Sequence, residues 1–425
     1  MNNKNIIKPR TLKGFRDILP PESNLKSSLI SKIKNSFESY GYQYLETPHL
    51  EYLETLSNET EGEISKQLFK FTDNGDREVC LRFDLTVPFA RSYVQNQREL
   101  GSPFKRYSIG NVFRGEKPQK GRYREFTQCD IDFVGTKSIY SDIEVINIVS
   151  KTLQVINAGS FSIKINHRLL LDGFFDSIDC KENSEVLRIL DKLDKIGIEK
   201  VSKELSEKLS FSNKDIDSIF NFIGISNNDF PTAISKLKEI STNEKMAKAI
   251  SELEKVFANI DSSSSMLDLS IARGLGYYTG IVFEAKLVNS PEVGTIAAGG
   301  RYDDLTKNFS KDDLSGVGGS IGIDRLMSAM DIKNSLDTSI LITFLDEKFY
   351  SELLKVSEEL RSLGFITELY PEVSKLKKQF QYADRRGYQR VLIFGNKESE
   401  NQTYTIKNLL SGNQKEIQSL SELTQ

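Results

Sequence analysis

The feature that most limits the fold is a change of texture that happens twice. From 64 to 168 the chain consists of short apolar runs punctuated by Gly, Pro and Asn-Gly, and LFKFTDNGDREVCLRFDL reads as a hairpin turning near Asn74-Gly75. Between Asn166 and the serines at 262 to 265 the period becomes helical, as in SEVLRILDKLDKIGIEKVSKELSEKL, with no competing alternation. Strand-like text resumes in DLSIARGLGYYTGIVFEAKL and continues to SGVGGSIGIDRLMSAM, where a glycine-rich strand enters an apolar helix. The second block is expected to complete the antiparallel sheet that the first begins, leaving a helical insertion over approximately 168–262.

Upstream, Leu25, Leu29, Ile30, Ile33 and Phe37 lie at helical spacing within 24–40, and the next segment reads as a strand broken at Pro48. Downstream, the polar stretch 331–338 joins a tail in which SILITFLD, FITELY and RVLIFG alternate with helical text. That alternation predicts a separate α/β domain with parallel pairing over 339–425. A length of 425 residues already exceeds what one core usually serves. The expected class is therefore α+β: an antiparallel-sheet domain over 1–330 carrying the insertion, a linker, and an α/β tail.

With 38% apolar and 28% charged residues the composition is that of a folded globular protein. No apolar run is long enough to cross a bilayer, and MNNKNIIKPRTLKGFRD has no apolar core of a signal peptide, so a cytoplasmic protein without a membrane partner is expected. Cys80, Cys129 and Cys180 form no C-x-x-C pair and read as small core residues. His49 and His167 are the only histidines, which argues against a multi-histidine metal centre and histidine-based nucleophilic chemistry; no metal site is expected. A net charge of -3 still allows a nucleic-acid partner, because a local basic face suffices to neutralise phosphates.

The strongest local signal is FRGEKPQKGRYREFTQ, residues 113–128. Arg114, Lys117, Lys120, Arg122 and Arg124, with Arg106 upstream, fall on or beside two strands joined by a loop tipped by Pro118 and Gly121. Guanidinium suits bidentate phosphate contact at any working pH. A solvated charged hairpin is the other reading, and the charge run alone does not decide between them. GVGGSIG is not a dinucleotide fingerprint, since Ile321 occupies the place of the third glycine and no βαβ unit surrounds it.

FRGEKPQKGRYREFTQCDIDFVG resembles motif 2 of class II aminoacyl-tRNA synthetases, in the form found in the histidyl-tRNA synthetase family. LRFDLTVPFAR at 81–91, ARGLGYYTGIVFE at 272–284, and AAGGRYDDL with GGSIGIDRL between 297 and 326 are similar to the same family in the same order. LRSLGFITELYPEVSKLKKQFQYADRRG resembles its anticodon-binding domain, so the resemblance spans nearly the whole chain. It implies a class II catalytic domain that activates histidine with ATP and Mg2+ to histidyl-adenylate and transfers histidine to the 3′ end of tRNA(His).

The same resemblance implies roles for individual residues. Arg114 would contact the α-phosphate, with Arg273 reaching that phosphate and the substrate carboxylate. Arg325 would hold the γ-phosphate and cover one face of adenine, Phe126 would stack on the other, and Glu116 would lie near the adenine edge. Asp84, Thr86 and Gln128 would receive the histidine ammonium, while Asp132 and Tyr278, beside Tyr277, would meet the two edges of the imidazole. Lys117, Lys120 and Arg122 in the motif 2 loop, and Lys377, Lys378 and Arg386 in the tail, would contact tRNA. A homodimer built from the long first helix and the strand around Pro48 is also implied.

Plainer readings stand beside these. Arg325 could form an ordinary ion pair near Asp324, Asp84 and Thr86 a hairpin surface pair, and Tyr277 a half-buried strand aromatic. Gly299 and Gly300 could admit either substrate or a neighbouring strand, and Tyr302 could border the histidine pocket or pack the sheet. Gly276 stands where the family more often has aspartate. A regulatory paralogue that partners ATP phosphoribosyltransferase is the main functional alternative, although such proteins tend to lose the motif 2 arginines and the tail. Arg114, Arg122, Arg325 and the tail are present here.

Overall fold

The computed structural model describes residues 7–57, 65–119, 121–180, 182–190, 192–271, 278–311, 314–330 and 336–424. Two compact units divide the chain at 1–331 and 332–425. The first is organised by an eight-stranded sheet in the order Gln43–Tyr44, Phe104–Phe113, Glu125–Val134, Gly316–Gly322, Thr295–Tyr302, Ile281–Leu287, Phe161–His167, Ser265–Leu267. Phe161–His167 pairs directly with Ile281–Leu287, so the two strand-like blocks do share one sheet across the helical text. The two edge pairings, Gln43–Tyr44 on Phe104–Phe113 and Ser265–Leu267 on Phe161–His167, are parallel, whereas the inner ones are antiparallel. Both edge strands are separated from their partners by long helix-containing connections, which parallel pairing requires.

Strand pleating sorts the central residues onto two faces. Cys129 and Ile131 join a core with Leu29, Ile33 and Phe37 of helix Glu22–Ser39 and Ile146 and Val149 of helix Ile139–Val155. Phe126, Gln128, Asp130 and Asp132 alternate with them and therefore turn to the other face. Arg106, Ser108 and Gly110 stand opposite Asp132, Asp130 and Gln128 on one side. Gly318 and Ser320 stand opposite Asp132 and Asp130 on the other.

Helices Thr86–Leu100 and Ile139–Val155 interrupt a region whose texture reads as strand. Ile139–Val155 is rich in β-branched residues, yet Ile143, Ile146, Val149 and Leu153 are buried at helical spacing, and the Ser138 hydroxyl accepts from the Tyr140 amide at its start. Packing of the stripe overrides residue preference there. The hairpin near Asn74-Gly75 is present as Lys70–Thr72 paired with Glu78–Leu81, and the Asp73 carboxylate accepts from the Gly75 and Arg77 amides to close the turn.

Between 168 and 257 every element among the described residues is a helix, from Arg168–Ser177 to Glu244–Phe257. The His167 Nδ1 accepts from the Leu169 amide at 3.2 Å while its Nε2 lies 2.7 Å from Glu252, so this histidine caps one helix and ties another to the sheet. His49 has a similar structural use, with Nε2 3.2 Å from an Arg82 guanidinium nitrogen.

The second unit has its own core, including Ile340, Leu341, Ile342, Leu353, Leu360 and Val391. Its sheet order is Ile366–Leu369, Leu336–Ile342, Tyr388–Ile393, Tyr404–Asn408, Gln414–Ile417. The three strands that the alternation predicts pair parallel, as expected, and two further strands that it did not reveal add on antiparallel. Only a tight turn containing Gly412 joins the final pair, and so short a connection permits only a hairpin. No described helix is long and apolar enough to cross a membrane.

Candidate active site

Arg114 continues from Phe104–Phe113, and its Nε donates to the Phe83 carbonyl at 3.2 Å. Its guanidinium carbon lies 4.3 Å from the Phe83 ring centroid and 5.1 Å from that of Phe126. Two aromatic faces and a carbonyl thus hold the fork in one orientation. From Phe126 the same strand leads to Gln128, whose Nε2 donates to the Ser320 hydroxyl at 2.8 Å, then to Asp130 and Asp132.

Asp132 is almost fully buried and forms a 2.7 Å ion pair with Arg106, itself buried beneath the sheet face. Arg106 also donates to the Leu85 carbonyl at 2.8 Å and lies over the Phe89 ring. The Tyr302 hydroxyl donates to the other Asp132 oxygen. Burial pushes the Asp132 carboxyl upward and Arg106 opposes it. Tyr302 therefore does more than pack the sheet: it orients the carboxylate.

The glycines beside these groups make room for them. A Cβ on Gly318 would come 2.3 Å from Asp132 Oδ1, and one on Gly316 would come 2.4 Å from the Tyr302 ring. At Gly299 the close neighbour is the Gly318 carbonyl of the adjacent strand, whereas at Gly300 it is the Ile281 carbonyl and the ring of Tyr278. Neighbouring protein thus accounts for both.

Asp84 accepts from the Val87 amide at 3.0 Å and fastens the start of helix Thr86–Leu100, whose first residue is Thr86. Burial raises its pKa, while Arg114 and Arg106 pull it down. It therefore belongs electrostatically to the arginine cluster and does not act as an isolated surface pair. Arg325 donates from Nη1 to the Thr295 carbonyl at 2.8 Å. The motif 2 loop tip reaches the same helix, Ile323–Ala329: a Cβ on Gly121, whose φ is +71°, would meet Ser328 Oγ at 2.8 Å. Glu116 lies 3.5 Å from Arg122, and Lys117 is exposed. Arg273, Tyr277, Gly276 and Lys120 lie outside the described residues. In the tail, Lys377 and Arg386 are exposed on or at the end of helix Leu376–Arg386, and Lys378 pairs with Glu372 at 2.5 Å.

The sequence reading placed Arg106 among the basic residues of the hairpin and missed its pairing with Asp132, and it missed Asp130 altogether. Period-2 alternation places Asp130 on the same pleat face as Asp132, whereas Arg106 comes opposite Asp132 only through the strand register. Asp130 Oδ1 has no hydrogen-bond partner among the described residues. Burial, reinforced by the charges of Asp132 and Asp84 and opposed by Arg106 and the Ser320 hydroxyl, pushes its carboxyl up to about 7 from an ordinary 3.8. Between these values the folded chain holds a proton that the unfolded chain has released, so this group's contribution to stability falls as pH rises from about 4 to about 7. Asp130→Asn does not titrate and is expected to gain stability relative to the parent between about pH 5 and about pH 8, read from urea midpoints. An equal difference at both pH values would contradict this assignment.

Comparison with known proteins adds the decisive observation. A family model described as histidyl-tRNA synthetase matches residues 14–326, and one described as an anticodon binding domain matches residues 338–424. The chain belongs to the histidyl-tRNA synthetase family. It is 43% identical to the histidine–tRNA ligase of Helicobacter pylori (strain P12), with 96% of each chain covered. It is likewise 43% identical to that of Wolinella succinogenes, covering 98% of this chain and 97% of the relative. The crystal structure of histidyl-tRNA synthetase from Nostoc sp. PCC 7120 superposes with a TM-score of 0.86 at 33% identity, with 97% of each chain covered. As a member of this family the chain is an aminoacyl-tRNA ligase, with a class II catalytic fold followed by an anticodon-binding domain.

Proposed function

We propose that this chain activates histidine with ATP to histidyl-adenylate and transfers histidine to the 3′ end of tRNA(His). The observation that carries the reading is that one sheet face of a chain matching this family in both halves gathers Arg114, Phe126, Gln128 and Asp132. Attack of a carboxylate on the α-phosphate brings two anions together, so the chemistry calls for fixed positive charge and positioning, with no need for a nucleophilic side chain. Arg114 supplies a preoriented guanidinium for the α-phosphate, and Arg273 would reach it and the substrate carboxylate. Phe126 and Arg325 would enclose adenine, with Glu116 at its edge.

Asp84, Thr86 and Gln128 would receive the ammonium. Asp132, held from two sides, would accept from one imidazole nitrogen, and Tyr278, with Tyr277, would serve the other. Mg2+ would enter with the nucleotide and neutralise phosphate charge. Lys117, Lys120 and Arg122, with Lys377, Lys378 and Arg386 in the tail, would contact tRNA. Cytoplasmic location accords with that partner.

Pairing as a homodimer through the long first helix and the strand around Pro48 is supported by exposed aromatics on the short strands Gln43–Tyr44 and Leu50–Tyr52, Tyr44 at 54% and Tyr52 at 51% exposure. Retention of Arg114, Arg122, Arg325 and the second unit favours ligation over a purely regulatory role. The direct test is charging of tRNA(His) transcripts with and without the additional 5′ guanosine, alongside histidine-dependent pyrophosphate exchange. Exchange and charging are both expected, with charging falling about 100-fold when the guanosine is absent, as for loss of a strong polar contact. Absence of exchange would reject the reading. A chain ending after residue 330 is expected to keep exchange and lose most charging; intact charging would remove the tail from tRNA recognition.

A further inference from the structure

We propose that Asp324 is a positioning residue for the nucleotide base, fixing the separation between Arg325 and Phe126, and that Arg16 holds it in place. The inference rests on the proposed roles of Phe126 and Arg325. Asp324 is 4% exposed and immediately precedes Arg325 in helix Ile323–Ala329. Its Oδ2 accepts from the Thr127 amide at 2.8 Å, and Thr127 immediately follows Phe126 on the central strand. One carboxylate thus joins the backbone beside one wall of the base site to the residue beside the other.

The carboxylate is itself held. Arg16 Nη2 donates to Oδ1 at 2.8 Å, Lys26 lies 3.6 Å from Oδ2, and Arg16 Nη1 is anchored on Glu22 at 2.5 Å. The Arg16 guanidinium also sits 4.0 Å over the ring of Tyr123, in the motif 2 hairpin. The segment before Arg16 grips the same hairpin, with the Gly14 carbonyl accepting from the Arg124 amide at 2.8 Å. A Cβ on Gly14 would collide with the Arg124 side chain at 2.7 Å. The N-terminal segment therefore clasps both elements that would enclose the base, and Asp324 is where the two clasps meet. In the proposed arrangement these groups stand behind the walls of the base site, so their effect belongs in nucleotide affinity.

The test is pyrophosphate exchange by the full-length protein, varying ATP and histidine separately. Asp324→Asn keeps the shape of the side chain and an oxygen for Thr127 but removes the charge that Arg16 holds. It is expected to raise KM for ATP about tenfold while kcat and KM for histidine stay within about twofold. Arg16→Ala should do the same, and Arg16→Lys, which keeps the charge without the fork, should fall between it and the parent. Arg325→Ala and Phe126→Leu are the controls for the underlying site. If neither control raises KM for ATP, the base site is elsewhere and the proposal falls with it. If both raise it but Asp324→Asn does not, only the role of Asp324 is overturned. A parallel loss in kcat and in both KM values, with a lower melting temperature, would make Asp324 merely structural and also overturn the proposal.

Discussion

Arg114→Ala is expected to slow histidine-dependent pyrophosphate exchange about 1000-fold, the scale of removing one fixed donor from developing charge in a water-poor site. Its setting explains why the loss should appear in kcat. Phe83 and Phe126 bracket the guanidinium at 4.3 and 5.1 Å and the Phe83 carbonyl engages Nε, so the fork is oriented before substrate arrives. A preoriented charge does not reorganise during reaction and discriminates in favour of the transition state. Histidine binding without ATP should change by no more than about twofold. Arg114→Lys restores the charge but not the planar fork and should recover only part of the rate. Normal exchange by Arg114→Ala would remove Arg114 from the chemistry.

Parts of this arrangement were legible in the sequence because they are written locally. The first helix shows its buried stripe of Leu29, Ile33 and Phe37 at the expected spacing, and the turn at Asn74-Gly75 carries its own chemistry in Asp73. The break in texture at 166 and its reversal after 262 reveal the interrupted sheet, since both blocks need partners. What could not be read was anything set by register. Arg106 and Asp132 are separated by 26 positions and meet because Phe104–Phe113 and Glu125–Val134 pair with those residues opposite each other. Arg301 likewise reads as one more charge in AAGGRYDDL, yet it is buried against Asp142, which comes from a helix that the texture did not reveal. Period-2 patterning says which residues share a face, but pairing decides which of them touch.

That register dependence makes Asp132 the second position of large effect. In Asp132→Asn the amide oxygen can still accept from Tyr302, but the buried guanidinium of Arg106 loses its ion-pair partner. Breaking a buried pair from one side is expected to lower stability by about 3 kcal/mol, because among the described residues Arg106 then keeps the Leu85 carbonyl and the Phe89 ring as direct contacts, with Asp84 and Asp130 as the nearby opposite charges. KM for histidine should rise about 100-fold, as for losing a charge-assisted hydrogen bond to the imidazole, with KM for ATP little changed. The two losses have different origins and can be separated. Adding Arg106→Gln removes the orphaned charge, so the double variant should regain most of the stability in urea unfolding while histidine recognition stays impaired. If recognition returned together with stability, Asp132 would act on histidine only by keeping the sheet intact, and the imidazole acceptor would have to be sought elsewhere on this face.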